Sequence, residues 1–246
     1  MTEGLLLLHA FPLDASMWEP QVRAATGLTV VAPNLPGFGG APPVGPVMTM
    51  DAAADAAADA ATAAGLDRVV VCGLSMGGYV ALAFWRRHRD RVAGLVLANT
   101  KAGPDDEAGR DRRRALADRL RSEGSAFLVE SPPPLLSANP RDELWSRVKG
   151  IIAAQPAEAI AAASLGMADR PDSNPDLAGI DVPTLVITST GDALIPPEAT
   201  TPMADQIPGG LLEVIEGVGH LSNLEAPDRF TELLLEHAAA SGVRAT

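Results

Sequence analysis

Cysteine, aromatic residues and positive charge are all scarce in this chain of 246 residues. The single cysteine, Cys72, excludes a disulfide within the chain, and its place inside an apolar run indicates a buried packing role. Aromatic residues make up 4% of the chain against 47% hydrophobic residues, so we expect a core of aliphatic side chains and alanine. The length is sufficient for one large core.

Other absences limit the partners. A formal net charge of -12 without a basic stripe excludes nucleic acid, because nothing would offset phosphate repulsion. No metal-ligand spacing occurs, and we expect no metal or cofactor. The apolar run Leu5 to Leu8 is too short and lacks the basic flank of a signal peptide, and no other run could cross a membrane. We therefore expect a cytoplasmic protein without a membrane partner, and a homo-oligomer stays open.

The most informative segment is Gly73-Leu-Ser75-Met-Gly77, between a β-branched apolar run and a helical pattern. This pattern predicts a nucleophile elbow, in which a tight strand-to-helix turn exposes the serine hydroxyl. Glycine at both ends removes side chains that would collide there. A helix beginning at Met76 would direct free backbone N-H groups at the group that Ser75 attacks. The alternative is an ordinary strand-to-helix turn.

A serine nucleophile needs a base, and the chain has four histidines. His220 follows the strand-like Leu211 to Ile215 and precedes the helix expected over 227–240, so it lies at the carboxyl end of a strand. Open parallel sheets place their chemistry at that edge. We predict His220 as the base, against the alternative of a loop histidine satisfied by local hydrogen bonds.

The acid is predicted on another strand-end loop. Asp192 ends the buried-strand pattern that begins at Thr184, whereas Asp181 precedes that strand and Asn99 carries no charge. The alternative for Asp192 is a turn-forming aspartate after glycine. The chain order serine, aspartate, histidine favours the catalytic interpretation.

These motifs give the chain a resemblance to the α/β-hydrolase superfamily along nearly its whole length. The motifs that carry it are His9 to Asp14, Leu35 to Gly39, Gly73 to Gly77, Gly191-Asp192, and Gly219-His220 followed by Leu224 to Pro227. Two further phrases, Met167 to Asp172 and Leu97 to Thr100, most resemble small bacterial esterases and lactonases, including 3-oxoadipate enol-lactonases.

The resemblance implies an α/β fold with a core formed by residues 1–100 and 174–246 and a helical cap formed by 101–173. We expect about six mainly parallel strands flanked by helices, near residues 4–9, 28–33, 68–73, 92–98, 183–189 and 211–216. Family members usually begin with a β-hairpin. Here Leu5 to Leu8 follows Met1 almost at once, so we expect that hairpin to be absent and Leu5 to Leu8 to form an interior strand.

The resemblance also implies an oxyanion hole formed by the backbone N-H groups of Phe11 and Met76. The chain departs from the family by having Ala10 where glycine is usual, which would strain the loop if the position required a positive φ. Pro12, directly after the oxyanion residue, resembles cofactor-free haloperoxidases and perhydrolases of this fold, although it could merely stiffen the loop.

Substrate contacts are expected from the cap and from the loops that carry the acid and the base. We predict a pocket lined by Leu136, Trp145, Met167, Leu194 and Leu221. Arginines are frequent between residues 110 and 121, which could form an anion site, but their interleaving with acidic residues favours solvated pairs along a helix. The regular aspartates of 51–59 are likewise interpreted as a solvated helix face, with Thr49 as cap and Gly65 at the end.

The predicted function is hydrolysis of a small ester or lactone through an acyl-enzyme on Ser75. Rival interpretations are perhydrolysis, C-C bond hydrolysis or acyl transfer on the same scaffold. A further rival is a binding protein without catalysis, which an intact serine, aspartate and histidine disfavours.

Overall fold

The computed structural model describes residues 2–244, which form one parallel sheet covered by helices. Within these residues, six strands form the sheet in the order β2-β1-β3-β4-β5-β6. All of the pairings are parallel. The strands are β1 (Glu3–Leu8), β2 (Val30–Val31), β3 (Arg68–Leu74), β4 (Val92–Ala98), β5 (Thr184–Ser189) and β6 (Leu211–Ile215). The predicted α/β class and parallel sheet are confirmed.

The helices fall between these strands and after the last one. The α-helices are α1 (Glu19–Ala24), α2 (Met50–Ala63), α3 (Met76–Arg87), α4 (Glu107–Glu123), α5 (Ala126–Glu130), α6 (Asp142–Ala153), α7 (Ala157–Ala168), α8 (Asn174–Leu177), α9 (Pro197–Thr200), α10 (Pro202–Gln206), α11 (Ser222–Glu225) and α12 (Pro227–Ala240). Short 3-10 helices cover Ala15–Trp18 and Arg89–Arg91.

Strand β1 lies inside the sheet. Leu5 pairs with Val30 of β2 on one side and with Val70 of β3 on the other. The side chains of Leu5 to Leu8 are fully buried, as an unbroken apolar run in a sheet covered on both faces requires. The predicted interior strand is confirmed, and within residues 2–244 no strand precedes it.

Strand β2 is shorter than the predicted span of 28–33. Only Val30 and Val31 pair with β1, and both are partly exposed at the edge of the sheet. Pro33 follows closely and has no backbone N-H to donate, so the pairing cannot continue regularly. An apolar pattern alone did not reveal this early end.

Helix α2 agrees with its interpretation as a structural helix with one solvated face. The Thr49 hydroxyl accepts a hydrogen bond from Ala52 N at 3.1 Å, and Gly65 follows the last turn at φ 76°. Its buried positions are alanines and Met50, whereas Asp55 is about two-fifths exposed and pairs with Arg87 at 2.6 Å.

Helices α4 to α7 lie between β4 and β5, in the segment predicted as a cap. Helices α4 and α7 pack together, and the Ser164 hydroxyl donates to the carbonyl of Arg113 at 2.9 Å. Met48 N donates to the carbonyl of Ala162 at 3.0 Å, which joins α7 to the loop before α2. No single helix among residues 2–244 meets the length and apolarity of a membrane span, although α6 and α7 do so as a pair bent by 93°.

Candidate active site

Ser75 lies at the turn between β3 and α3 in a strained backbone conformation. Its φ of 58° and ψ of -115° are rare for a residue with a side chain. A Cβ atom on Gly73 would lie 2.1 Å from the carbonyl oxygen of Gly77, and one on Gly77 would lie 2.0 Å from the carbonyl oxygen of Leu8. Only glycine fits at both positions, and the close approach places the first turn of α3 against the end of β1.

Asp192 and His220 form a buried hydrogen-bonded pair on neighbouring strand-end loops. Asp192 follows β5 and His220 follows β6, and Nδ1 of His220 lies 2.8 Å from Oδ2 of Asp192. Oδ1 of Asp192 accepts hydrogen bonds from the backbone N-H groups of Leu194 and Ile195, both at 2.9 Å. The carboxylate of Asp192 is therefore held by its own loop as well as by the histidine.

The environment of Asp192 keeps its carboxyl group ionised. Burial raises the pKa of Asp192. This effect is outweighed by the hydrogen bond and charge of His220, the N-H group of Ile195 and the amide of Asn99, all of which lower the pKa, so it lies below its usual value. A buried carboxylate next to Nδ1 holds the imidazole so that Nε2 is free to accept a proton.

Asn99 belongs to this network, although the sequence had ruled it out as the acid. It follows β4 at φ 45°, and its Nδ2 donates to Oδ2 of Asp192 at 2.9 Å and to Oγ of Ser189 at 2.7 Å. Its Oδ1 accepts from the hydroxyl of Ser222 at 2.6 Å. The signal in the sequence was a polar residue at the carboxyl end of a buried strand, where a donor can serve a neighbouring carboxylate.

The backbone N-H groups of Phe11 and Met76 are both free of hydrogen bonds within residues 2–244. Met76 is the first residue of α3, so its N-H group has no partner inside the helix. Ala10 does not have a positive φ, and the strain considered for this departure from glycine does not arise. Two free donors on either side of the β1–α3 contact are suited to an oxyanion.

His9 fixes the loop that carries Phe11. Its Nε2 accepts from the N-H group of Leu35 at 3.0 Å, which places the proton on Nδ1, 3.1 Å from the carbonyl of Ala10. Burial lowers the pKa of His9 from 6.5 to about 4. His9 is therefore neutral near pH 7, and its role is to join two loops.

Ser75 and His220 open into one cavity of about 370 Å³. Its wall is formed by Phe11, Ser75, Tyr79, Lys101, Asp105, Gly109, Arg112, Arg113, Leu116, Pro133, Leu135, Met167, Leu194, Ile195 and His220. In the described part of the chain, no hydrogen bond joins Oγ of Ser75 to His220. Such contacts often form fully only with substrate bound.

The predicted pocket residues divide into two groups. Met167 and Leu194 line the cavity, whereas Leu136, Trp145 and Leu221 do not. Leu221 is fully buried beneath the histidine loop, where its N-H group donates to the carbonyl of Leu135 at 2.9 Å. That contact holds Leu135 beside the histidine loop, and Leu135, not Leu136, lines the cavity.

The interpretation of the α4 arginines as solvated pairs holds for only part of the helix. Arg119 pairs with Glu123 at 2.9 Å on an exposed face. It is wrong for Arg113, which lines the cavity and contacts the buried carboxylate of Asp105. The polar members of this wall were not identified from the sequence, because their position depends on how α4 packs against the distant helix α7.

Comparison with known proteins identifies the relatives of this chain. The model of the alpha/beta hydrolase family matches residues 5–233. The chain is 30% identical to the pimeloyl-[acyl-carrier protein] methyl ester esterase of Aromatoleum aromaticum, covering 91% of this chain and 93% of that protein. It is 28% identical to 3-oxoadipate enol-lactonase 1 of Acinetobacter baylyi, covering 94% and 86%.

Among solved structures, a thermophilic esterase from Thermogutta terrifontis with malate bound superimposes with a TM-score of 0.93. It is 40% identical, and the match covers 98% of this chain and 90% of that one. The resemblance inferred from the motifs is therefore confirmed.

Proposed function

The chain belongs to the alpha/beta hydrolase family, and from this premise we propose that it is a carboxylic ester hydrolase that cleaves small esters or lactones through Ser75, His220 and Asp192. The esterases and the enol-lactonase that it resembles support the reaction class. The geometry of the site supports the roles that we assign to the individual residues.

In the proposed first half-reaction, Nε2 of His220 accepts the proton of the Ser75 hydroxyl while Oγ attacks the substrate carbonyl carbon. The carbonyl oxygen becomes an oxyanion, which accepts hydrogen bonds from the N-H groups of Phe11 and Met76. As the intermediate collapses, the C-O bond of the ester breaks and the imidazolium returns its proton to the leaving alcohol. In a lactone this alcohol stays attached to the acyl group.

In the second half-reaction, water donates a proton to His220 and its oxygen attacks the acyl carbon. The bond to Ser75 then breaks, Oγ recovers a proton from the imidazolium, and the carboxylic acid leaves. Asp192 stays ionised throughout, because the pKa of its carboxyl group lies below the usual value. The carboxylate stabilises the imidazolium that forms twice in each cycle.

One observation carries this proposal. A serine at φ 58° and a histidine held by a buried aspartate open into the same cavity, beside two backbone donors without partners in the described residues. The strained backbone of Ser75 costs free energy and persists only because the surrounding structure enforces it. Such strain is typical of active sites and therefore favours a catalytic role over simple ligand binding.

The proposal also covers the size of the substrate. We interpret α4 to α7 as a cap, because residues of α4 and α7 form one side of the cavity. A volume of about 370 Å³ is at the small end of ligand pockets, so short acyl chains and small lactones fit better than lipids. The cytoplasmic location and the oligomeric state stay predictions.

The test is a substrate panel measured with the wild-type protein and with Ser75→Ala. The panel contains short-chain and long-chain neutral esters, five- and six-membered lactones, and acetate with hydrogen peroxide for peracid formation. We expect ester or lactone hydrolysis that Ser75→Ala abolishes, with no rise in rate when the substrate forms micelles. Peracid formation without hydrolysis would contradict the proposal and favour the perhydrolase interpretation of Pro12.

A further inference from the structure

Three cationic side chains share one carboxylate at the wall of the cavity. Oδ1 of Asp105 lies 3.2 Å from Nζ of Lys101 and 2.9 Å from Nη2 of Arg170, and Oδ2 contacts Nε of Arg113. The side chains of Asp105 and Arg170 are 9% and 3% exposed. The cluster is therefore a built feature of the interior and not a chance meeting of mobile surface chains.

The charges of this cluster do not balance. Within residues 2–244, Asp105 is the only carboxylate within 4.0 Å of Lys101, Arg113 or Arg170, which leaves an excess of two positive charges. Burial raises the pKa of Asp105, but hydrogen bonds from Arg170 and Arg113 outweigh it, so the pKa is lowered and the carboxyl group is ionised. Uncompensated cations are costly away from water, and the rest of the chain is strongly acidic.

The three cations differ in how many of their N-H groups donate hydrogen bonds within the protein. Arg170 stacks on Tyr79 at 4.1 Å and donates to the carbonyls of Met167 and Gly103 at 2.8 and 2.9 Å. Arg113, in contrast, donates only through Nε in the described part of the chain, and Lys101 makes only its pair with Asp105. Arg170 keeps one donor without a partner, its buried Nε, whereas the unused donors of Lys101 and Arg113 belong to residues that line the cavity.

A fourth cation adds to the same wall. Arg112 also lines the cavity, and its ion pair with Asp106 is long, at 4.0 Å, with both side chains about three-quarters exposed. Lys101, Arg112 and Arg113 thus face the space that contains Ser75 and His220, with Asp105 as the one acidic side chain among the wall residues apart from the catalytic groups.

We propose that this wall is a binding site for a carboxylate on the substrate, so that the enzyme prefers esters or lactones that carry a second, anionic carboxyl group. Lys101 and Arg113 bind the carboxylate through their unused N-H groups, since a guanidinium and a carboxylate form paired hydrogen bonds. Asp105 and Arg170 are positioning residues that hold these two cations in place. The inference rests on the proposed function, because it concerns the same cavity.

The test compares substrates that differ only in this charge. Monomethyl esters of succinate, glutarate, adipate and pimelate are each measured beside the methyl ester in which an uncharged carboxamide replaces the carboxylate. We expect kcat/KM to be about tenfold or more higher for the anionic ester of at least one length, mainly through a lower KM. Added salt should reduce this preference.

Variants of Lys101 and Arg113 test whether these two residues cause the preference for anionic esters. Lys101→Met and Arg113→Gln should each reduce the ratio of anionic to neutral kcat/KM several-fold, while Arg113→Lys keeps part of it. Arg114→Gln is the matched control, because Arg114 lies next on the helix and pairs on the surface with Asp111 and Asp169. It should leave both rates unchanged. An unchanged ratio in both Lys101→Met and Arg113→Gln would overturn the assignment.

Binding separates this inference from the proposed chemistry. The same esters are titrated calorimetrically into Ser75→Ala, which binds without turnover. Tighter binding of the anionic esters supports the site even if the wild-type protein hydrolyses nothing, an outcome that would refute only the hydrolase proposal. Equal binding of charged and neutral esters overturns the inference, whether or not the wild-type protein hydrolyses them.

Discussion

Nδ2 of Asn99 lies 2.9 Å from Oδ2 of Asp192, the same oxygen that bonds Nδ1 of His220 at 2.8 Å. The asparagine is itself fixed, since its Oδ1 accepts from the hydroxyl of Ser222 at 2.6 Å. Asn99 therefore orients the carboxylate and stabilises its charge through Oδ2, whereas the loop N-H groups of Leu194 and Ile195 bond Oδ1.

Removing this amide should weaken catalysis without preventing folding. Asn99→Gly suits the positive φ and deletes all three hydrogen bonds of the side chain, to Asp192, Ser189 and Ser222. We expect kcat/KM to fall about tenfold, chiefly through kcat. Asn99→Asp should move the acidic limb of the pH-rate profile to higher pH, because the added negative charge favours the protonated imidazole. Activity of Asn99→Gly within twofold of wild type would refute the role of Asn99.

The histidines can be distinguished by mutation. His220→Ala should lower kcat by about a thousandfold or more, and Asp192→Asn somewhat less, because orientation of the imidazole is partly retained. His88→Gln is the control, since His88 pairs with Asp55 at 2.8 Å on the outer side of α2 and α3 and should be dispensable. An essential His88 with a dispensable His220 would invalidate the triad.

Stability should fall in mild acid because of His9. Its pKa is about 4 in the folded protein and about 6.5 when unfolded, so the unfolded chain binds the additional proton between these values. The contribution is complete above about pH 6.5 and is lost as the pH falls towards 4, amounting to about 3 kcal/mol of unfolding free energy.

The measurement is denaturant unfolding at pH 7.5 and pH 4.5, with wild-type protein and His9→Gln. The wild type should lose about 2–3 kcal/mol more than the variant on acidification. Comparing the two proteins cancels the contribution of His237, whose pKa burial also lowers. Equal losses in both proteins would show that His9 is already protonated or exposed in the native state.

The residues that we propose as catalytic could be located from sequence because their structural requirements are local. Gly73 and Gly77 are imposed by backbone contacts that any elbow of this kind makes, and Asp192 and His220 follow strands whose carboxyl ends share one edge. Asn99 was missed because its function is to donate to another residue, which no spacing in the sequence reveals.

The cavity wall depends on contacts between distant segments and was predicted less well. The sequence analysis chose Leu136, but its neighbour Leu135 lines the cavity, in a segment held by hydrogen bonds to the distant residues Leu221 and Glu225. Arg113 looks like its neighbours in the sequence. Its partner Asp105 lies before the first residue of α4, so helical periodicity does not specify this pairing.

Glu225 connects the proposed cap to the loop of His220, and its removal should loosen both. Its Oε1 accepts from the N-H groups of Ser137 and Gly219 at 2.9 and 2.7 Å, and Oε2 accepts from the hydroxyl of Ser137 at 2.5 Å. Glu225→Ala leaves these donors without a partner, and we expect a loss of about 2–3 kcal/mol in unfolding free energy.

Limited trypsin digestion gives a second measure of this contact, because Arg141 lies exposed shortly after Ser137. Cleavage there should be faster in Glu225→Ala than in wild type. Glu216→Ala removes an exposed carboxylate close to the same loop and should change neither stability nor cleavage. Similar behaviour of the two variants would show that Glu225 does not connect these segments.

The most direct test of the central claim is covalent labelling with a fluorophosphonate, which reacts with a serine hydroxyl activated by a base and an oxyanion hole. We expect one label per chain, mapped by mass spectrometry to Ser75, slowed strongly in His220→Ala and absent in Ser75→Ala. Labelling that persists in Ser75→Ala, or that maps to another serine, would contradict the assignment of Ser75 as the nucleophile.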